Sequence, residues 1–229
     1  MKKILIAALA ALSLTASLDA KDTRKKDGLG LDIHFLNSTE YGKSPLVGIS
    51  YPDALSEQTQ FMETWTKKTH HFGVELLRFN FPAGDYAQLF TGIRMDRYEY
   101  FFRNRYTFAY SGGNVFPVDL TQETYPHYKS SELRTTYWSV PLGFNLKLNK
   151  KWSAEAYAFA GLLGKSVNIV RSPKDKTYNP GGLNDFQYGI GASIMRRHLG
   201  VSVKYIPTSV FKEGVGPDTN TLSFGIILH

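Results

Sequence analysis

Hydrophobic and polar residues alternate with a period of two along most of the chain after residue 27. The clearest stretch runs from Tyr137 to Leu148, where the odd positions are mostly small or polar and the even positions are apolar: Trp138, Val140, Leu142, Phe144, Leu146 and Leu148. Successive side chains of a β-strand point to opposite faces, whereas a helix would mix these two groups of residues. The stretch therefore predicts a strand with one wholly apolar face.

Seven further segments carry the same alternation, at 28–36, 70–80, 86–102, 152–170, 185–195, 199–207 and 220–228. The phase changes near Leu76–Leu77 and near Leu163–Lys165. A β-bulge would explain each change, because one extra residue turns all later side chains to the other face. Pro141 lacks a backbone donor, so it predicts another bulge within its strand. The pattern as a whole predicts eight strands.

The connections between these strands alternate in length. The long ones are 37–69, 103–133, 171–184 and 208–219, and the short ones are 81–85, 149–151 and 196–198. Membrane barrels of bacteria have short turns on the periplasmic side and longer loops outside. The predicted fold is therefore all-β, an eight-stranded antiparallel up-and-down transmembrane β-barrel over residues 28–229. An even strand number puts both termini on the periplasmic side.

The first 20 residues have the layout of a secretory signal peptide. Lys2 and Lys3 precede an apolar run over residues 4–18, which ends near Ala20. That run is shorter than the about 20 apolar residues that a transmembrane helix needs, and no later segment reaches this length. We predict that residues 1–20 are removed on export to the cell envelope. Residues 21–27 would form a short periplasmic tail, and the barrel would reside in the outer membrane.

The two faces of the strands differ in charge. Eight strands enclose a lumen just wide enough for side chains to fill, and charged groups are tolerated there when they are paired. The predicted lumen network consists of Asp32, His34, Glu75, Arg94, Asp96, Lys147, Glu155 and Lys204. The predicted lipid-facing residues include Trp138, Val140, Leu142, Phe144, Leu146, Ile190, Phe224 and Ile226. The alternative is a soluble barrel of the lipocalin type, whose apolar face would line a ligand cavity.

Composition narrows the possible chemistry. The chain contains no cysteine, which excludes disulfides, thiolate metal sites and a cysteine nucleophile. Its net charge of +7 is spread along the sequence without a dense basic cluster, so nucleic acid is not an expected partner. His70 and His71 are adjacent and would point to opposite faces of a strand, where they cannot share a metal ion.

Other motifs for catalysis or cofactor binding are weak or missing. The Gly189-Ile190-Gly191 segment lacks the third glycine and the following helix of a dinucleotide-binding motif. The sequence has no phosphate-binding loop and no G-x-S-x-G elbow. We therefore expect no catalytic site, no metal site and no cofactor.

Short motifs in the second half of the chain carry a family resemblance. They are Trp138-Ser139-Val140-Pro141-Leu142-Gly143-Phe144, the turn Asn149-Lys150-Lys151-Trp152, and Ala158-Phe159-Ala160-Gly161. They resemble the outer-membrane β-barrel domain family, the porin-like small barrels related to the OmpA-type transmembrane domain. The stretch from Asn220 to Leu228 resembles the closing strand that the barrel-insertion machinery reads, although the chain ends in His229 and not in Phe or Trp.

The resemblance implies an outer-membrane location, with membrane lipid, lipopolysaccharide and the barrel-insertion machinery as partners. It implies no reaction. Three functions stay open: a structural or interaction barrel with a filled lumen, a narrow porin for small solutes, and a lipid-modifying enzyme. In the first, the loops 37–69 and 103–133 would face outside and offer aromatic contact residues such as Trp65 and Tyr128. The sequence names no external ligand.

Overall fold

A computed structural model describes residues 31–51, 61–120, 127–171 and 175–229. The predicted signal peptide and the 21–27 tail lie outside the described residues. The described strands are β1 (Asp32–Lys43), β2 (Leu46–Ser50), β3 (His70–Pro82), β4 (Ala87–Phe101), β5 (Tyr106–Ser111), β6 (Asn114–Asp119), β7 (Ser130–Lys147), β8 (Trp152–Arg171), β9 (Asp175–Tyr178), β10 (Phe186–Arg196), β11 (Leu199–Ile206) and β12 (Asp218–Leu228). Within these ranges, no helix is long and apolar enough to cross a membrane.

Eight of the strands close into an antiparallel barrel in the order β1-β3-β4-β7-β8-β10-β11-β12. The ring is completed by pairing of β12 with β1, where Tyr41 lies opposite Ile226. Each barrel strand lies beside the barrel strands that precede and follow it along the chain, so the topology is up-and-down. The predicted eight-stranded antiparallel barrel is confirmed.

The longer connections carry the remaining described strands. β2 pairs with β12, β9 pairs with β8, and β5 forms a hairpin with β6. Two barrel strands are longer than predicted, since β1 continues to Lys43 and β7 begins at Ser130. The predicted loops 37–69 and 103–133 are correspondingly shorter. We call the end of the barrel that carries these connections the loop end, and the opposite end the short-turn end.

Register shifts explain both changes of phase in the sequence. The β3–β4 register shifts between Glu75 and Leu77, and Gly164 of β8 is the extra residue where the β7–β8 register shifts. Both predicted bulges are confirmed. A further irregularity that the sequence pattern did not predict lies in β1, where Leu36 adopts a left-handed backbone with φ of 49°.

The predicted bulge at Pro141 is wrong. Thr91 pairs with Leu142 and Arg94 pairs with Ser139, so the β4–β7 register is the same on both sides of the proline. The strand stays regular because the hydroxyl of Thr91 donates a hydrogen bond to the Pro141 carbonyl at 2.8 Å. The missing N–H therefore costs one ladder bond and does not displace the chain.

The outward face of the barrel is an apolar belt. All eight residues predicted to face lipid lie on it, with exposed fractions between 46% for Leu146 and 63% for Leu142. From Leu146 to Trp138 on β7, and from Trp152 to Leu162 on β8, every outward side chain is apolar. Ten residues of a strand tilted by about 40° rise about 25 Å, the height of the apolar band of an outer-membrane barrel.

Large side chains fill the interior because small ones lie opposite them. A Cβ atom on Gly191 would lie 2.4 Å from the ring of Tyr157, and one on Gly143 would lie 2.5 Å from Tyr157 Cβ. Both glycines belong to the inward face of their strands. They lie beside Tyr157 on the two neighbouring strands and make room for its side chain, as close packing of a narrow barrel requires.

The hydrophobic core continues from the barrel into the loop end and closes it. Phe108 of the β5–β6 hairpin packs edge-on against Phe211 at a centroid distance of 5.2 Å and against Phe102 at 6.4 Å. The backbone N–H of Val115 donates to the carbonyl of Val215 at 2.8 Å and joins the hairpin to the last loop. We call this region the cap. Its buried residues include Phe61, Met62, Phe102, Phe108, Leu183, Val210 and Phe211.

Candidate functional site

An ionic cluster fills the middle of the barrel, where β1, β3, β4 and β11 turn charged side chains inward. The Lys204 ammonium lies 2.8 Å from Glu40 Oε2 and 2.9 Å from Asp96 Oδ1. Arg94 contacts the same two carboxylates, and its Nε donates to Asp96 Oδ1 at 2.9 Å. All four side chains are buried, so two buried cations balance two buried anions. We call these four residues and His71 the central cluster.

The central cluster has the ligand spacing of a metal site but already contains a cation. Glu40, His71 and Asp96 offer three ligand atoms within 4.8 Å of one another. The Lys204 ammonium contacts all three, with His71 Nε2 at 3.2 Å. A fixed positive charge at this distance repels a metal ion. Within the described residues, the lysine thus takes the role that a bound cation would have in neutralising the two carboxylates.

Three side chains of this region follow one another as in a catalytic triad. Ser223 Oγ lies 3.0 Å from His71 Nδ1, and His71 Nε2 lies 3.4 Å from Glu40 Oε1. A hydroxyl, an imidazole and a carboxylate in this order can activate a nucleophile when a substrate reaches the hydroxyl. Here all three side chains are at most 1% exposed. Within the described residues, this serine has no exposed surface.

A second ionic group lies nearer the short-turn end, and we call it the lower cluster. Arg78 bridges two carboxylates, with Glu155 Oε1 at 2.6 Å and Glu75 Oε2 at 3.3 Å. Its Nε donates to Asn80 Oδ1 at 2.9 Å. The guanidinium also lies 3.7 Å from the ring centroid of Phe90. The arginine therefore combines ion pairing with cation–π contact in a water-poor interior.

Side chains occupy the lumen at several levels within the described residues. The void beside the lower cluster measures about 20 Å³, which is room for about one water molecule. Above the central cluster, Tyr98 packs against Tyr100 and Tyr137 with centroid distances of 6.1 and 6.4 Å. The cap covers these rings in turn. The barrel interior is filled by side chains from the lower cluster to the loop end.

The structure brings five of the eight predicted lumen residues together inside the barrel. Glu75 and Glu155 belong to the lower cluster, and Arg94, Asp96 and Lys204 belong to the central cluster. The other three are exposed at the short-turn end and lie outside both clusters: Asp32, His34 and Lys147. Their pairing partners Asn80, Arg78 and Ser153 show that they lie on the expected face of their strands, at a level where the lumen opens.

Three members of the clusters were missed by the sequence pattern. Glu40 lies beyond the bulge at Leu36, in a segment predicted as loop. Arg78 turns inward because the bulge near Leu76 shifts the alternation, and that phase change was visible in the sequence. His71 lies inside and His70 points outward, as their adjacency predicted.

Charged side chains return on the outward face above the apolar belt. Glu99 accepts from His70 Nε2 at 3.1 Å and from Arg97 at 2.6 Å. Arg134 links Glu99 at 3.6 Å to Glu132 at 2.5 Å. This rim ladder marks the upper limit of the belt, because ion pairs of this kind need water or polar groups around them.

Together these features define the class of protein. A closed antiparallel barrel with short turns at one end, longer connections at the other, an apolar outer belt and an ionic interior has the architecture of the small outer-membrane barrels. No protein-family model and no curated protein matches the chain.

Several solved structures are similar to the chain at low sequence identity. Ail, the attachment invasion locus protein of Yersinia pestis, in complex with the heparin analogue sucrose octasulfate, is 12% identical, with a TM-score of 0.36 over 86% of this chain and 97% of that chain. LpxR from Salmonella typhimurium is 8% identical, with a TM-score of 0.27 over 86% of each chain. A porin of Rhodopseudomonas blastica is 10% identical, with a TM-score of 0.20 over 86% of this chain and 99% of that chain. The fold assignment therefore depends on the strand topology of this chain itself.

Proposed function

We propose that the chain is an outer-membrane barrel of a Gram-negative bacterium, with a structural or interaction role and no reaction of its own. The observation that carries this proposal is the uncharged outer belt around an ionic, filled interior. Hydrocarbon accepts an apolar surface and a closed sheet, and it excludes an open edge or an unpaired charge. The cap would then be the part of the molecule that meets the exterior.

Aromatic residues at both limits of the belt support this orientation in a membrane. Tyr86 and Trp152 lie at the short-turn end, and Tyr41, Trp138 and Tyr188 lie toward the loop end, all of them exposed. Such residues favour the boundary between hydrocarbon and polar headgroups. The short-turn end would face the periplasm, where both termini of the barrel and the barrel-insertion machinery would be found.

Membrane fractionation combined with heat-modifiability on gels tests this proposal. We expect the full chain in the outer-membrane fraction. We also expect its unboiled form to migrate differently from the boiled form, because a closed barrel stays compact in detergent until it is heated. Recovery of the folded chain in the soluble periplasmic fraction would contradict the proposal and favour the lipocalin-like alternative.

A narrow porin is the main alternative function, and it would conduct ions across a bilayer. A filled lumen predicts no such conductance. We expect no discrete conductance steps when the purified barrel is inserted into planar bilayers, because the ionic clusters and the tyrosine layer occupy the lumen. A wide bacterial porin in the same bilayer serves as the positive control for insertion and recording. Reproducible steps with the wild-type chain would contradict the filled-lumen role.

A lipid-modifying enzyme is the second alternative. Such an enzyme needs a nucleophile and a base that a membrane lipid can reach. The one serine–histidine–carboxylate arrangement in the described lumen, around His71, is buried. No described contact favours this alternative over an interaction role.

A further inference from the structure

A cleft at the loop end lies outside the barrel wall, between the segment that precedes β3 and the connection from β4 to β7. Its volume is about 220 Å³. Backbone hydrogen bonds fix one wall, because Trp65 N donates to the Phe101 carbonyl at 2.8 Å and Arg103 N donates to the Glu63 carbonyl at 2.7 Å. The indole N–H of Trp65 donates to the Arg103 carbonyl at 3.2 Å. The cleft is therefore built into the fold before any ligand arrives.

The lining of this cleft is basic and aromatic. Its charged lining residues are Lys68, Arg103, Arg105 and Lys129, and no acidic side chain lines it among the described residues. All four cations are exposed. Two of them lie over the Trp65 ring, Lys68 at 5.3 Å and Arg103 at 5.9 Å from its centroid. The long Arg103–Glu63 ion pair, at 3.6 Å, leaves the cleft strongly positive.

Tyr128 is one of three further aromatic residues in the lining, beside Phe101 and Phe102. The Arg105 guanidinium lies 5.6 Å from its ring centroid. Burial raises the pKa of the Tyr128 phenol above its ordinary value of 10.0, so the hydroxyl stays neutral at physiological pH. The cleft thus offers the exposed Trp65 ring, the half-buried rings of Phe101 and Tyr128, a neutral hydroxyl and four cations within one small volume.

We propose that this basic cleft binds a saccharide that carries anionic groups. The apolar face of a sugar ring packs on an indole or phenol, and phosphate, sulfate or carboxylate groups pair with the surrounding cations. A volume of about 220 Å³ is smaller than the about 300–1,000 Å³ of pockets for drug-sized ligands. It suits one or two sugar residues of a longer chain that continues along the surface.

The height of the cleft agrees with a saccharide ligand. Phe101 lies six residues beyond Met95, the last belt residue of β4, which corresponds to about 15 Å above the edge of the belt. The headgroup layer of a bilayer leaflet is only about 6 Å thick. On the proposed outer-membrane orientation, the cleft therefore lies among surface sugars. They could belong to the phosphorylated core of lipopolysaccharide or to a free polyanionic polysaccharide.

Single-stranded nucleic acid has related chemistry, and the structure favours it less. Proteins that bind single strands stack successive bases on several rings along a basic groove. Of the four aromatic residues that line the cleft, only Trp65 is exposed, at 43%, whereas Phe101 and Tyr128 are half-buried and Phe102 is buried. That is enough for a short saccharide segment and not for a nucleotide track.

Binding of dextran sulfate and of unmodified dextran to the purified, detergent-folded full chain tests the proposal. The two polymers share one sugar backbone and differ in charge. We expect binding of dextran sulfate and none of dextran, measured by calorimetry or by a surface assay. Trp65→Ala, and separately the pair Lys68→Gln and Lys129→Gln, should weaken binding by about tenfold or more.

Matched controls separate the cleft from general charge. Tyr178 on β9 is exposed and has Lys165 at 5.8 Å from its ring, so Tyr178→Ala removes a similar aromatic–cation pair elsewhere. Lys150→Gln with Lys151→Gln removes two charges at the short-turn end. Both controls should bind like the wild type. Equal losses in controls and cleft variants would overturn the proposal, as would failure of the wild type to bind any anionic saccharide.

Further arms of the same assay identify the ligand source. Purified lipopolysaccharide core oligosaccharide, before and after removal of its phosphates, tests the membrane's own sugars against the free polymer. Cleft-dependent binding of either anionic saccharide supports the proposal. Tighter, Trp65-dependent binding of oligothymidylate would overturn it in favour of nucleic acid.

Heat-modifiability of each protein is measured first, to show that its barrel is folded. If the folded wild type does not bind, the proposal of a saccharide site fails while the outer-membrane assignment stands. If Trp65→Ala does not fold, the lysine pair decides.

Discussion

Replacing Lys204 with methionine should destabilise the folded barrel by about 3–5 kcal/mol. The ammonium lies between Glu40 and Asp96 in the buried central cluster, at 2.8 and 2.9 Å. Methionine preserves the length of the side chain and removes the charge, so Glu40 and Asp96 are left to share Arg94 alone and one buried negative charge is no longer balanced. The free energy of unfolding in urea, measured in detergent or lipid vesicles, gives the effect.

A neighbouring outward residue supplies the control for this change. Val203 precedes Lys204 on β11 and points to the belt, so Val203→Met introduces the same side chain on the opposite face. It should change stability by less than about 1 kcal/mol. Adding Asp96→Asn to Lys204→Met should restore part of the lost stability, because it removes the unpaired charge. Equal stability of Lys204→Met and Val203→Met would show that the cluster does not hold the interior together.

The barrel could be predicted from the sequence because two different environments act on alternate residues. Leu142 meets the exterior, and its neighbour Gly143 must leave room for Tyr157 inside. This contrast repeats along every barrel strand. It therefore allowed the number of strands, their topology and the face to which each residue points to be predicted. Bulges at Leu76 and Gly164 were visible as phase changes, since a single extra residue exchanges the two faces.

Alternation specifies the face of a residue and not its depth along the barrel axis. Asp32, His34 and Lys147 lie on the inward face but at the short-turn end, where water reaches them. The depth of a residue depends on how far its strand is shifted along the neighbouring strand. That shift is the register, and it is set by hydrogen-bond pairing between the strands. Glu40 was missed for a different reason: it keeps the inward phase of Asp32 and His34, but β1 was predicted to end at residue 36 and in fact continues to Lys43.

The cap and the basic cleft could not be predicted from the sequence, for another reason. Trp65 and Tyr128 could be named as aromatic residues of two loops, but they come from segments on either side of two barrel strands. Their approach depends on how the loops fold on the barrel end, including the bridge between Thr64 and Phe102. Loop segments lack the periodic environment that strands have, so their sequence carries no comparable signal for position.

Placing an arginine at the middle of the apolar belt should have the second large effect. Leu142→Arg should reduce the stability of the barrel in a phospholipid bilayer by about 2–4 kcal/mol, and Leu146→Arg, nearer the short-turn edge, by about 0–1 kcal/mol. The two sites share strand, face and native residue, so depth along the barrel axis is the main difference between them. Unfolding free energies in vesicles and the heat-modifiable fraction in outer membranes measure the difference.

The same pair of variants shows whether lipid or water surrounds the outer face of the barrel. Leu142 is the more exposed of the two, at 63% against 46% for Leu146. In a soluble barrel, a charge at such exposed positions would change stability by about 0.5 kcal/mol or less at either site. A depth-dependent penalty requires a medium in which the cost of charge rises toward the centre of the belt, and only a bilayer has that property. Two stable variants would instead mean that water surrounds the apolar face.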